Sequence, residues 1–386
     1  MGWALRLARR GWGRTSPNPM VGAVLVKYGR LIGQGWHQRA GGPHAEIVAL
    51  DDASRRGESP NGATLYVTLE PCSTHGRTPP CTDALIAARL QRVVVATTDP
   101  NPCHAGRGLE LLRRAGLEVH LGRHADAATR LNEAFNHWIV HRTPFVTLKA
   151  AMTLDGRIAT ARGESKWITG PAARIHAHHL RRSADAILVG VNTVLADDPA
   201  LTVRTPDPSA TRRASTTPPP SPRRIILDSR ARTPLSAQAI SDPFANRTTV
   251  FVACHAPARR VAALARRVKV VPTPTRGDRL DLAWILHRLG QENVTHLLVE
   301  GGGEVHASFL EQGLAHRIAF FYAPKVLGGR AARPAVSGKG FGTRDTLPRL
   351  VQLEWRTFGE DLFLTARLAL PNPGSPLVRP SRVGPA

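Results

Sequence analysis

The feature that most constrains this chain is a set of metal-binding side chains near its N-terminal end. His44 and Glu46 form an H-x-E triplet, and two cysteines follow, Cys72 directly after a proline and Cys81 at the end of an insert. One imidazole and two thiolates can hold Zn²⁺ and leave its fourth position open for water. A metal held in this way lowers the pKa of water to about 7, and the carboxylate of Glu46 can then move the proton. These residues predict the zinc-dependent removal of an amino group from a nucleobase ring.

The spacing of the two cysteines departs from the usual C-x-x-C arrangement, because residues 73–80 separate Cys72 from Cys81. His75 lies in this insert and could be a metal ligand, a substrate contact or a solvated loop residue. A catalytic zinc site needs an open position, which disfavours ligation by His75. Asn18 stands between two prolines. It is a candidate for recognising the edge of a base, although a role in a turn explains it nearly as well.

Length and composition predict two domains in a reducing compartment. A chain of 386 residues is longer than one hydrophobic core usually supports. Four cysteines do not make a disulfide scaffold in so long a chain, and we expect Cys103 and Cys254 to be free thiols. The N-terminus lacks the apolar core of a signal peptide, and no apolar run approaches the ~20 residues of a membrane span. We therefore expect a cytoplasmic protein.

The formal net charge of +23 raises a second hypothesis, an RNA or DNA base deaminase with a non-catalytic second domain. The excess is nearly all arginine, and the chain has no dense basic tract with interleaved aromatic residues. We therefore expect a small phosphorylated substrate, with neither a nucleic acid nor a membrane as partner. Assembly into a homo-oligomer stays open.

Hydrophobic patterning predicts alternating strands and helices in the first part of the chain, which is typical of a three-layer α/β domain. The predicted helices span residues 3–10, 46–53, 82–88, 109–115 and 125–139, and the predicted strands span 21–26, 31–35, 65–69, 93–97 and a segment near 119. His44 and Glu46 then lie in the first turn of a helix, whose N-terminus stabilises a carboxylate. Cys72 and Cys81 flank a loop between a strand and a helix.

A domain boundary is predicted at Thr143-Pro144, because proline disfavours helix in the residue before it. We predict one domain over 1–142, a second over 143–370 and a disordered tail over 371–386. Further strands are predicted over residues 145–151, 186–189, 224–227, 249–253, 269–271 and 296–300. Residues 205–222 are rich in Pro, Ser, Thr and Arg, which indicates a disordered insertion or a long loop.

Longer motifs in both halves carry a resemblance to a known family. They are TSPNP (15–19), GWH (35–37), GPHAE (42–46), YVTLEPC (66–72), HGRTPPC (75–81), DPNP (99–102), MTLDGR (152–157), GESKWIT (163–169), VLADDPALTVR (194–204), VEGG (299–302) and APKVLGG (323–329). In these motifs the chain resembles the bacterial bifunctional deaminase–reductases of riboflavin biosynthesis, which share the eight-residue spacer between the cysteines. The motif residues are present in both halves, which disfavours a third hypothesis, in which one half has decayed into a scaffold.

The resemblance implies a fold, two cofactors and two reactions. It implies a cytidine-deaminase-like three-layer α/β/α domain followed by a dihydrofolate-reductase-like α/β domain that binds NADPH. The implied substrate, 2,5-diamino-6-(5-phosphoribosylamino)pyrimidin-4(3H)-one, is deaminated to 5-amino-6-(5-phosphoribosylamino)uracil. NADPH then reduces the ribosyl group to ribityl, which gives 5-amino-6-(5-phosphoribitylamino)uracil.

The resemblance also implies roles for individual residues. The zinc ligands are His44, Cys72 and Cys81, and Glu46 is the catalytic proton shuttle. The residues implied to line NADPH are Ala151, Trp167, Thr193, Asp197, Ser229, Gly302 and Gly303. The residues implied to contact the substrate of the reductase are Lys149, Ser165, Arg181, Leu201, Arg204 and Glu300.

Two of these implied roles also make physical sense from the side chains. The planar guanidinium groups of Arg181 and Arg204 suit a clamp on the 5′-phosphate. Arg182 beside Arg181 leaves that assignment open by one position. The glycines at 301–303 would let backbone N–H groups approach a phosphate at the start of a helix, although a triple glycine alone is weak evidence.

Overall fold

The chain forms two compact units in a computed structural model that describes residues 1–74, 79–102, 104–204 and 221–369. The first unit comprises Met1–Pro144 together with the short segment Gly290–Thr295, and the second comprises the rest. Within the first unit, Trp138 Nε1 donates a hydrogen bond of 2.9 Å to the carbonyl oxygen of Gly290. No sequence pattern pointed to this segment.

Several predictions fall outside the described residues, namely those on His75, on Cys103, on most of the 205–222 insertion and on the tail 371–386. Across the described ranges, no helix combines the length and the apolar character needed to cross a membrane.

The first unit is built on a five-stranded mixed sheet with the order β2-β1-β3-β4-β5. Its strands are β1 Gly22–Lys27, β2 Arg30–Trp36, β3 Thr64–Val67, β4 Arg92–Val95 and β5 Glu118–Leu121, and its helices are α1 Gly2–Ala8, α2 Ala45–Arg55, α3 Cys81–Ala87, α4 Arg107–Arg114, α5 Ala125–Leu131 and α6 Glu133–His141. Strand β1 is antiparallel to β2 and β3, whereas β3, β4 and β5 are parallel. Alternate residues of β1 enter different clusters: Leu25 packs in the main core and Val24 packs with α1. Both faces of the sheet are therefore covered, as the predicted α/β pattern requires.

Helix α2 lies so close to β2 that only glycine fits between them. A Cβ atom at Gly33 would stand 2.3 Å from the carbonyl oxygen of Ala49, and one at Gly35 would stand 2.5 Å from that of Ala45. Contacts this short are not available to any residue with a side chain. The two glycines thus set the position of the helix that begins immediately after His44.

The helix predicted over residues 125–139 is in fact two helices, α5 and α6, separated at Asn132. The Asn132 side chain accepts a hydrogen bond of 2.8 Å from the backbone N–H of Met20 and donates one of 2.9 Å to the carbonyl oxygen of the same residue. The break therefore results from pairing with a distant backbone segment, which hydrophobic periodicity does not reveal.

The second unit is built on a nine-stranded sheet with the order β11-β10-β9-β8-β14-β6-β15-β18-β17. The strands of this sheet are β6 Phe145–Thr153, β8 Ala186–Gly190, β9 Arg223–Leu227, β10 Thr248–Ala253, β11 Lys269–Thr273, β14 His296–Val299, β15 Arg317–Ala323, β17 Leu350–Phe358 and β18 Asp361–Leu368. Two further sheets of two strands each pair β7 Arg157–Ala159 with β16 Arg333–Pro334 and β12 Thr275–Arg276 with β13 Arg279–Leu280. The α-helices are α7 Pro171–Ser183, α8 Val191–Asp197, α9 Gln238–Ser241, α10 Ala258–Ala265, α11 Leu282–Gln291 and α12 Gly303–Glu311. The last two residues of α11 belong to the segment Gly290–Thr295 of the first unit. The first seven strands in this order are parallel, and β18 and β17 add an antiparallel edge.

A buried ion pair joins β9 to α9 and the loop after it. Arg224 is 1 % exposed, and its guanidinium donates to both carboxylate oxygens of Asp242 at 2.7 and 2.8 Å. It also donates to Thr248 Oγ1 at 2.8 Å and to the carbonyl oxygen of Ala200 at 3.0 Å. The hydrogen bonds from Arg224 lower the pKa of Asp242 against a smaller opposing effect of burial.

Asp242→Asn is expected to destabilise the second unit by about 2–3 kcal/mol, because it leaves a buried guanidinium without its carboxylate. Because the folded-state pKa of Asp242 is lowered, its contribution is present above the ordinary carboxyl pKa and is lost as the pH falls through the folded value. The urea midpoint of unfolding, followed by circular dichroism, should fall, and its gap from the wild type should close at acid pH. Exposed Asp345→Asn is the control, and equal midpoints for the two variants would contradict the expectation.

Candidate active sites

Three metal-binding side chains of the first unit come from three different elements. His44 is the N-cap of α2 and has an extended backbone, and Cys81 is the first residue of α3, directly after Pro80. Cys72 follows the end of β3 by five residues. His44 and Cys81 therefore stand at helix starts, whereas Cys72 lies in the loop that follows β3.

The donor atoms of these three residues all lie within 4.8 Å of one another. His44 Nδ1 is 3.2 Å from Cys81 Sγ and 3.4 Å from Cys72 Sγ. In a tetrahedral zinc site, bond lengths of about 2.0–2.3 Å place neighbouring N and S ligands about 3.6 Å apart. One imidazole and two sulfur atoms at this spacing fit zinc. A hydrogen bond from Cys81 lowers the pKa of the Cys72 thiol, which favours the thiolate form that binds a metal.

Glu46 lies in the first turn of α2, is 3 % exposed and stands outside the metal-binding group. Burial raises the pKa of Glu46 to about 7, although the neighbouring His44 opposes this shift. A carboxyl group that titrates near neutrality can both accept and return a proton during a reaction. The prediction that His44 and Glu46 lie at the start of one helix is confirmed, since His44 is its N-cap and Glu46 is in its first turn.

His37 is a buried residue of this region that the sequence analysis did not single out beyond its place in the GWH motif. Its Nδ1 is 3.0 Å from the carbonyl oxygen of Pro43, and its Nε2 is 3.1 Å from Asn18 Nδ2. Because a carbonyl oxygen can only accept, Nδ1 carries the proton and Nε2 accepts from the amide of Asn18. This pairing fixes the orientation of the Asn18 amide.

A cavity of about 880 Å³ opens in the second unit beside the glycines that precede α12. It is lined by five of the seven residues expected at the cofactor and by one expected at the substrate, namely Thr193, Asp197, Ser229, Gly302, Gly303 and Ser165. Ser165 Oγ donates a hydrogen bond of 2.5 Å to Asp197 Oδ1. A Cβ atom at Gly303 would stand 2.4 Å from the carbonyl oxygen of Pro334, so the start of α12 packs tightly against that loop.

The other two residues expected at the cofactor, Ala151 and Trp167, are not among those that line this cavity. Ala151 lies on β6 and packs against a small apolar cluster that contains Phe321. Trp167 is 66 % exposed, and the guanidinium carbon of Arg174 lies 4.7 Å from its ring centroid. Their assignment to the cofactor stays a prediction.

The remaining residues expected at the substrate are also absent from the cavity lining, and several form a charged cluster around Glu300. Arg181 donates to the two carboxylate oxygens of Glu300 at 2.7 Å each and to the carbonyl oxygen of Thr202 at 2.9 Å. Burial opposes ionisation of Glu300, but Arg181 and Lys149 lower its pKa to about 2. The pKa of Lys149 is lowered from its usual value, because the effect of burial is larger than the opposite effect of Glu300.

Leu201 and Arg204 complete the set expected at the substrate. Leu201 is 1 % exposed and has a φ of 51°, so its side chain belongs to the core and any ligand contact would use its backbone. Arg204 is exposed, and its backbone N–H donates a hydrogen bond of 3.3 Å to His178 Nδ1. Burial together with Arg181 and Arg204 lowers the pKa of His178 to about 4, so this imidazole is neutral near pH 7.

Comparison with known proteins assigns both units. The profile of the RibD C-terminal domain matches residues 144–364, and that of the cytidine and deoxycytidylate deaminase zinc-binding region matches residues 1–97. The chain is 46 % identical to the riboflavin biosynthesis protein RibD of Aquifex aeolicus over 325 residues, which cover 84 % of this chain and 86 % of that protein. The chain belongs to the RibD family.

Solved structures agree with this assignment over nearly the whole length. A RibD structure from Acinetobacter baumannii matches with a TM-score of 0.83 and 38 % identity, covering 96 % of this chain and 98 % of the other. A Thermotoga maritima structure, described as a diaminohydroxyphosphoribosylaminopyrimidine deaminase/5-amino-6-(5-phosphoribosylamino)uracil reductase, matches with a TM-score of 0.79 and 35 % identity, covering 96 % and 97 %.

The expectations for fold, cofactors and activity are thereby confirmed. The first unit is cytidine-deaminase-like and zinc-dependent, and the second is dihydrofolate-reductase-like and uses NADPH. The chain is a bifunctional deaminase and reductase of riboflavin biosynthesis, which acts on a small phosphoribosylated pyrimidine. The second hypothesis, with a non-catalytic second domain, is wrong because the RibD C-terminal profile covers that domain.

Removal of zinc with a chelator is expected to abolish deamination and to leave NADPH oxidation by the supplied uracil intermediate unchanged. The physical reason is that the metal-binding side chains lie in the first unit and the large cavity lies in the second. Ammonia release and NADPH absorbance should be followed separately, before and after zinc is restored. Equal loss of both activities, recovered together with zinc, would contradict this expectation.

Proposed function

We propose that this chain carries out two consecutive steps on one phosphoribosylated pyrimidine. The first removes the 2-amino group of 2,5-diamino-6-(5-phosphoribosylamino)pyrimidin-4(3H)-one, and the second reduces the ribosyl group of the resulting uracil to ribityl. The observation that carries the proposal is the convergence of His44, Cys72 and Cys81 next to the buried carboxylate of Glu46. The second step is supported by the cavity beside Gly302 and Gly303 in the same chain.

In the first step, His44, Cys72 and Cys81 would hold zinc, which supplies the Lewis acid that makes water nucleophilic at neutral pH. Glu46 would take a proton from the attacking water, deliver it to the ring nitrogen, and then assist departure of the amine as ammonia. Its burial and raised pKa support this role, because a carboxyl group poised near neutrality can carry a proton in both directions. His37 would keep the Asn18 amide in one orientation for contact with the base.

In the second step, Thr193, Asp197, Ser229, Gly302 and Gly303 would hold NADPH in the cavity. Backbone N–H groups at the start of α12 suit the pyrophosphate. We keep Ala151 and Trp167 as proposed cofactor contacts, although neither lines the cavity. Hydride transfer to C1′ of the sugar is the chemistry of NADPH, and the protein's task is to place the two reactants.

Substrate binding in the second unit would use Ser165, Lys149, Glu300 and the backbone of Leu201, with the phosphate held by arginine. Arg181 already gives three of its five N–H donors to Glu300 and Thr202, which leaves two for a phosphate. Arg204 is exposed and is the freer of the two clamps.

We assign residues 1–142 to the deaminase domain, 143–370 to the reductase domain and 371–386 to a disordered tail. We also propose a cytoplasmic enzyme without a nucleic-acid or membrane partner, and we keep a homo-oligomer as a hypothesis. The dispersed arginine content supports the absence of a polyanion partner, and the exposed free thiol of Cys254 fits a reducing compartment.

Glu46→Gln is expected to retain zinc and to lower deamination by at least about a hundredfold, since general acid–base groups typically contribute 10²–10⁴-fold. Reduction of the supplied uracil intermediate should be unchanged. A one-pot assay with the diaminopyrimidine nucleotide, zinc and NADPH would follow ammonia and NADPH separately, with metal analysis of each protein. Glu58→Gln, at a partly exposed surface ion pair, is the matched control. Full ammonia release by the Glu46 variant would remove this residue from the mechanism.

Arg204→Ala is expected to raise the KM of the reductase for its phosphoribosylated substrate about tenfold or more, because charge-assisted hydrogen bonds to phosphate contribute roughly 1.5–3 kcal/mol each. The KM for NADPH and the rate of ammonia release should not change. Exposed Arg259→Ala on α10 is the control. An unchanged substrate KM would move the phosphate contact to Arg181 or Arg182.

A further inference from the structure

Glu70 is a buried carboxylate that the proposed deamination does not use. It is 6 % exposed and lies two residues before Cys72. Its Oε2 accepts hydrogen bonds from the backbone N–H groups of Asp99 at 3.1 Å and Gly106 at 3.0 Å, and its Oε1 accepts one from Gly108 at 2.8 Å. Three backbone donors from a distant loop and helix start thus converge on one side chain.

A second contact ties the same two segments together without any side chain. A Cβ atom at Gly108 would stand 2.2 Å from the carbonyl oxygen of Pro71 and 3.2 Å from Glu70 Oε1. The first turn of α4 therefore lies directly against the peptide that joins Pro71 to Cys72. Only a residue without a side chain allows that approach.

One of the two segments held in this way leads directly into the metal-binding group. Cys72 accepts backbone hydrogen bonds from Thr82 at its carbonyl oxygen, at 3.2 Å, and from Cys81 at its sulfur, at 3.3 Å. Within the other segment, the Asp99 carboxylate accepts a hydrogen bond of 2.9 Å from the backbone N–H of Asn101. Displacement of Pro71 would therefore move the sulfur of Cys72 relative to His44.

We propose that Glu70 is a positioning residue of the deaminase, which together with Gly108 fixes the backbone of Cys72 relative to the backbones of Asp99 and Gly106. The proposal rests on the proposed assignment of Cys72 as a zinc ligand. The carboxylate offers acceptors to all three N–H groups at once, which a neutral amide of the same shape cannot do. In Glu70→Gln one nitrogen of the side chain must face a backbone N–H, and the segments move apart.

Two variants test the proposal in the full chain loaded with zinc. Glu70→Gln removes the set of acceptors, and Gly108→Ala inserts a methyl group against the Pro71 carbonyl oxygen. Outer-sphere partners of metal sites typically change metal affinity or activity about 10–100-fold, so zinc release to a chromogenic chelator should accelerate by about that factor. The kcat for ammonia should fall, and the visible absorption bands of the Co²⁺-substituted protein should shift.

Matched controls separate positioning from general destabilisation. Glu58→Gln makes the same chemical change at a surface pair, and Gly2→Ala adds a methyl group to a helix where no atom lies within 4 Å. Both controls should keep the zinc-release rate, the Co²⁺ spectrum and the kcat of the wild type. NADPH oxidation by the supplied uracil intermediate should be the same in all five proteins.

Wild-type zinc release and Co²⁺ spectra in both test variants would overturn the proposal. So would zinc loss that occurs only with a general loss of helical circular dichroism, because that marks a structural role. If Glu70→Gln fails to fold, Gly108→Ala decides by the same criteria, since alanine favours a helix and any loss must come from the contact with Pro71. Cys72→Ser runs in parallel. Zinc retained by Cys72→Ser would refute the ligand assignment, whereas zinc lost there but retained by Glu70→Gln and Gly108→Ala would refute only the positioning role.

Discussion

Deamination by this chain depends on bringing one imidazole nitrogen and two sulfur atoms, from three separate elements, within reach of a single metal ion. None of the three elements can supply that geometry alone, because His44 precedes one helix, Cys81 begins another and Cys72 follows a strand. The glycines of β2 set the position of helix α2, and hydrogen bonds from the backbone of Cys81 and Thr82 hold Cys72 beside the start of α3. The geometry of the metal site therefore depends on the packing of the first unit.

The second unit has to hold two ligands, NADPH and the substrate, instead of one metal ion. Its large cavity lies beside the glycines before α12, whereas Lys149, Arg181 and Glu300 form a charged cluster that does not line it. The two cations lower the pKa of the buried Glu300 carboxyl, and Glu300 in turn raises the pKa values of Lys149 and Arg181, so each group favours the charged form of the others. If this cluster binds the substrate as proposed, its side chains are already ordered by their mutual contacts, which lowers the entropic cost of binding.

The metal-binding set could be predicted from the sequence because zinc restricts both the type of residue and its place next to a helix or strand. Patterning also located the strands of the first sheet and six of the nine strands of the second, since buried parallel strands are short apolar runs. It missed β15, β17 and β18. It missed the break at Asn132, whose cause is the backbone of Met20, and it could not foresee the pairing of Arg181 with Glu300. These contacts join residues more than a hundred positions apart, and periodicity within a window carries no information about them.

The segment Gly290–Thr295 has a consequence for how the two activities can be separated. It follows most of α11 in the chain, yet it belongs to the unit that contains the metal-binding residues. Cutting the gene after residue 144 would therefore leave Trp138 without its acceptor and expose the surface that this segment covers. The first unit is thus not one continuous stretch of chain, and an excised unit would have to be supplied with these six residues as well.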